Sequence, residues 1–79
     1  MKFLTKSVKQ YLRRAGLRVA GMFWAFDESG RCFVRVWVRT ARQHRMAMSH
    51  AAGLFKRLRQ ALVAQGCKQK LDGVMVECA

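Results

Sequence analysis

The chain reads as an α+β domain of two layers, a three-stranded sheet with helices on one of its faces, in the order α-β-β-α-β. Residues 17–26 and 31–39 are rich in aromatic and β-branched residues and flank the turn-forming tetrapeptide DESG, which marks a hairpin. On either side, residues 5–15 and 40–65 carry apolar residues at spacings of three and four, the period of an amphipathic helix. With 79 residues, no internal repeat and no linker, 1–79 is one small basic domain. In that size range about 60% of the unfolded chain's surface is buried, which leaves little room for an enclosed catalytic cleft.

In the first helix Val8, Tyr11, Leu12 and Ala15 share one face, and Lys2, Lys6, Lys9 and Arg13 line another. Gly16 ends it where left-handed backbone is favoured. For the hairpin, taking residues 27–30 as a four-residue loop sets Phe26 opposite Arg31. The register then pairs Trp24 with Phe33, Met22 with Arg35, Ala20 with Trp37 and Arg18 with Arg39, all on one face. The other face places Val19, Gly21, Phe23 and Ala25 opposite Val38, Val36, Val34 and Cys32. It is wholly apolar and is expected to be the core.

Thr40, with Gln43 three residues on, has the pattern of a capping box, and Gly66 closes the second helical stretch. Its stripe is Met48, Ala51, Phe55, Leu58 and Leu62, widened by Leu54 and Ala61. Gly53 interrupts that stripe and is the candidate point for a kink. In 73–78, Val74, Val76 and Cys78 alternate with Met75 and Glu77 as a final strand.

Charge narrows the function classes. Lys and Arg number 16 against 4 Asp and Glu, a formal charge of +12. The acids are Asp27, Glu28, Asp72 and Glu77, so the stretches 1–26 and 29–71 contain none. Helical bases there have no acid three or four residues away, and an external anion is expected to neutralise them; nucleic acid is the commonest such partner.

On the expected open face, Arg18, Arg31, Arg35 and Arg39 can grip phosphates while Trp24, Phe33 and Trp37 offer stacking platforms. On the helices Arg42, Arg45, Lys56, Arg57 and Arg59 can follow a phosphate backbone, a contact that positions without reading sequence. Taken singly, each of these helical bases is equally a solvated surface residue. So many exposed aromatics form an apolar patch that a partner protein, or a second copy of the chain in a homodimer through the sheet face, could cover instead.

Cys32, Cys67 and Cys78 are odd in number and form no CxxC pair. No disulfide framework is expected, a reducing cytoplasm is the default, and Cys32 and Cys78 read as small buried hydrophobes. His44 and His50 stand six residues apart, outside helical ligand spacing, so no metal or cofactor is expected. Asp27 and Glu28 belong to the turn, no other paired carboxylates occur, and no enzyme activity is expected. MKFL opens like a secretory leader, but Thr5 and Lys6 interrupt it, and the longest apolar run, VAGMFWAF, is too short to span a bilayer as a helix. No membrane association is expected.

The order helix, hairpin, kinked helix, strand resembles type II KH-like domains, and in particular the ribosome-binding factor A family. Ala51-Ala52-Gly53 looks like that family's Ala-x-Gly kink, FVRVWV like its second hairpin strand, and GLFKRL like the basic start of its second half-helix. The resemblance implies binding to structured RNA near the kink through Lys56, Arg57 and Arg59. The function expected is therefore non-enzymatic binding of RNA or single-stranded DNA. The alternative is a small interaction protein that docks on an acidic protein or nucleoprotein complex, as phage and mobile-element inhibitors such as anti-CRISPR proteins do.

Overall fold

The computed structural model describes residues 2–79. Helix α1 (Lys6–Ala15) starts where the Thr5 hydroxyl accepts from the Val8 amide at 3.3 Å, and it ends at Gly16 with φ of 70°. Strands β1 (Gly21–Phe26) and β2 (Cys32–Val38) form the hairpin. Helices α2 (Ala41–Ser49) and α3 (Ala51–Ala64) follow, then strand β3 (Gly73–Cys78). In the sheet β2 is central, β1 lies antiparallel on one side and β3 parallel on the other. A parallel neighbour needs a crossover, which α2 and α3 supply.

All three helices contribute to one core against the sheet. Val8 and Leu12 of α1, Ala47 of α2, and Leu54, Leu58, Ala61 and Leu62 of α3 meet Val34, Val36 and Val38 of β2. The shortest dimension of the domain is 18 Å, room for one sheet and one layer of helices whose own diameter is about 10–12 Å. The predicted α+β class is therefore the observed one.

Within it, several local expectations are corrected. The hairpin loop is one residue shorter than expected. The Asp27 amide donates to the Arg31 carbonyl at 3.0 Å, and the Gly30 amide donates to the Asp27 carbonyl at 3.1 Å. Asp27 Oδ1 also accepts from the Ser29 amide, the Ser29 hydroxyl and the Arg31 amide, so its side chain writes the turn; Gly30 at φ 86° closes it. Phe26 consequently faces Cys32, Trp24 faces Val34 and Met22 faces Val36. A shift of one residue turns every β1 side chain to the opposite face.

The helix break falls at His50, not at Gly53. Gly53 lies inside the first turn of α3, where a Cβ would overlap the Tyr11 hydroxyl, so its small size serves the close approach of α1. The break also resets the helical phase: Ala47 is buried in α2, whereas Met48, expected in the stripe, is exposed. Thr40 caps α2 by accepting from the Gln43 amide, but the Gln43 side chain does not turn back to complete a capping box. Its Oε1 accepts from the Arg18 amide at 2.8 Å and its Nε2 donates to the Gly16 carbonyl, clamping the α1–β1 connection. Cys32 is buried as expected, while Cys78, at the end of an edge strand, is exposed.

Candidate nucleic-acid interface

The parity of β2 decides which side chains stand on the outer face. Cys32, Val34, Val36 and Val38 are fully buried beneath the helices, so Phe33, Arg35 and Trp37 point away from them and are half-buried. Register places Ala25 and Gly73 beside Phe33, Phe23 and Met75 beside Arg35, and Gly21 and Glu77 beside Trp37. None of the helices lies on this side.

The aromatic rings are held by the glycines around them. A Cβ added at Gly73 would stand 3.1 Å from the Phe33 ring, and one added at Gly21 would stand 2.8 Å from the Phe23 ring. Each ring therefore lies close against bare backbone, in space that a side chain at the glycine would take. Phe23 nonetheless remains 58% exposed. Arg35 and Glu77 meet across β2 and β3 with Nε 3.9 Å from Oε1, a separation beyond a hydrogen bond, and Arg35 Nε has no hydrogen-bond partner. Both side chains are partly open to water, so this pair orients Arg35 without locking it.

Of the residues expected on this face, Arg35, Phe33 and Trp37 stand there, flanked by exposed Arg31 and Arg39 at the two ends of β2. Trp24 does not. It lies on the helix side, half-buried, with its ring edge-on to Phe3 at a centroid distance of 5.0 Å. Met22 turns inward with it, and Phe26 stands exposed at the hairpin end opposite Cys32. Arg18 is outside the strand, on the connection that Gln43 clamps. That clamp sets the Arg18 backbone against the first turn of α2, the turn that carries Arg42, near the corner where the chain passes from β2 through Arg39 into α2.

The helical bases split between two flanks. Arg57 lies over the Tyr11 ring at 5.8 Å and Arg59 over the Phe55 ring at 5.5 Å. Steps of about 100° per residue turn Arg57 away, while Lys56 and Arg59, three residues apart, share a face with Phe55 and Val63. All three stand on the helix side, apart from the outer sheet face, and Arg45 is exposed on α2, also on the helix side. Phe23, Met75 and Glu77 are the outer-face residues that the sequence reading did not assign to the site. The signal for Phe23 was Asp27 with Gly30 three residues on, which favours a shorter loop ending in a left-handed glycine.

Other chemistry is sparse. Burial first, then the Asp72 carboxylate and Cys67 nearby, push the Cys32 thiol above its ordinary range, which keeps it protonated and unreactive. The Tyr11 hydroxyl is 3.4 Å from both His50 Nδ1 and the His50 carbonyl oxygen, tying α1 to the helix break. His44 Nε2 lies 3.3 Å from the Val76 carbonyl oxygen. Among the described residues no three His, Cys, Asp or Glu side chains gather as a metal site, and no helix is long and apolar enough to cross a membrane.

Compared with known proteins, the chain matches no family model, no curated protein and no solved structure.

Proposed function

We propose that this protein binds single-stranded nucleic acid, RNA or DNA, on the outer face of its sheet, without catalysing a reaction. The observation that carries the reading is the set Phe23, Phe33 and Trp37 around Arg35 on a sheet face that no helix covers, in a chain of charge +12. Bases stack on the open faces of the rings, a contact worth about 1–3 kcal/mol per base that tolerates any sequence because every base has a π-face. Arg31, Arg35 and Arg39, alternating with the β2 aromatics, reach the phosphates between stacked bases. Arg18 and Arg42 extend that path around the corner of the sheet. Arg45, Lys56, Arg57 and Arg59 add long-range attraction from the helix side, raising the association rate more than the specificity.

The test is anisotropy of a short labelled oligonucleotide, RNA and DNA in turn, titrated with protein at several salt concentrations. Affinity should fall with salt at a log-log slope of about −0.7 per phosphate neutralised. Trp37→Ala should weaken binding by about 1–3 kcal/mol while circular dichroism reports an intact fold. If Trp37→Ala leaves binding unchanged and joint neutralisation of Lys56, Arg57 and Arg59 abolishes it, the helix side is the binding surface and the proposal fails. A protein inert to both nucleic acids at low salt would leave a protein or nucleoprotein complex as the partner.

A further inference from the structure

Strand β1 is an edge of the sheet, and its backbone has half its hydrogen-bonding groups turned outward. The Asp27 amide donates to the Arg31 carbonyl. Alternate residues of an antiparallel pair exchange such bonds, so Ala25 and Phe23 also face β2, and Met22, Trp24 and Phe26 present their N–H and C=O to the open edge. Protein sheets usually guard such an edge with a charge, a proline or a covering element. The segment GMFWAF has neither a charge nor a proline, and β2 is its sole neighbour in the sheet.

We infer that β1 pairs antiparallel with β1 of a second copy of this chain, extending the sheet across a two-fold axis. The register that uses every outward group sets Trp24 opposite Trp24 of the second copy and Met22 opposite its Phe26. Charge supports a second copy over an unrelated strand. At one end of β1 stand Asp27 and Glu28, and at the other stands Arg18. Antiparallel pairing brings the Asp27–Glu28 end of each β1 to the Arg18 end of the other, where long side chains can meet. Neither Glu28 nor Arg18 has an ion-pair partner within the chain among the described residues. The edge and its two ends are thus self-complementary, and two outer faces become one continuous surface. The pairing concerns the edge and stands whether or not that surface binds nucleic acid.

Sedimentation equilibrium of the full chain, freed of nucleic acid, tests it. The expected species is a dimer of twice the 9.1 kDa chain mass. Glu28→Arg and Arg18→Glu should each raise the dimer dissociation constant by about tenfold, because each change puts like charges at both symmetry-related contacts. The combined Arg18→Glu, Glu28→Arg chain should return to the parent value. Both residues are exposed and outside the core, so the fold is retained and circular dichroism checks this. A monomer at every concentration overturns the proposal. So does a dimer indifferent to both single changes, which would place the contact elsewhere, on the outer sheet face or the helices.

Discussion

Along β2, Cys32, Val34, Val36 and Val38 turn to the helices and are sealed from water, while Phe33, Arg35 and Trp37, one residue out of step, turn to solvent. The two faces share a backbone and differ in what opposes them. On the inner side β-branched residues meet leucines of α3 and close a core that, among the described residues, holds no buried polar or charged side chain. On the outer side large rings rest on glycine backbone beside a half-open ion pair. The comparison separates residues that hold the domain together from residues whose apolar surface is available to a partner. A two-layer fold of this size has helices enough for one sheet face, so the second is left without a helix over it.

The most damaging way to probe this division is on the inner side. Leu58 is fully buried against β2. Leu58→Ala should cost about 2–5 kcal/mol, comparable with the about 3–5 kcal/mol that a single small core supplies. Loss of a cooperative urea transition at 37 °C is the expected outcome, and a midpoint close to that of the parent chain would mean the core lies elsewhere.

A smaller effect of opposite sign is expected outside. Glu77→Gln removes the negative charge beside Arg35 from the face proposed to meet phosphates, and on that proposal should tighten oligonucleotide binding about two- to fivefold with little change in stability. Weaker binding after this change would mean that Glu77 positions Arg35 for its contact.

The smallest effect concerns the turn that sets which face is which. The Ser29 hydroxyl, and then the amides of Arg31 and Ser29 and the Arg31 guanidinium, hold the Asp27 carboxyl below its ordinary value of 3.8. Because the folded value is the lower one, the turn's contribution to stability is complete above the unfolded value and is lost as pH falls through the folded one. Amide shifts of Ser29 and Arg31, followed by NMR on acidification, should move together with a midpoint below 3.8. A midpoint at or above that value would mean the Asp27 bonds do not fix the hairpin.

What the sequence determined by itself was local. The cap at Thr40, the helix-ending glycines Gly16 and Gly66, the period-two pattern of β2 and the charge of +12 are all properties of neighbouring residues or of composition. They were enough for the element order and for the outward set Phe33, Arg35 and Trp37. The facing of β1 was not legible in this way, because Met22, Trp24 and Phe26 are as apolar as Gly21, Phe23 and Ala25, so either parity could serve as the core. The Asp27 carboxylate settled it by shortening the loop. Likewise the helix stretch held a glycine at 53, yet the break came at His50, since Gly53 is the point where α1 presses Tyr11 against α3. Those outcomes depend on contacts between residues distant in the chain, and only the tertiary structure could decide them.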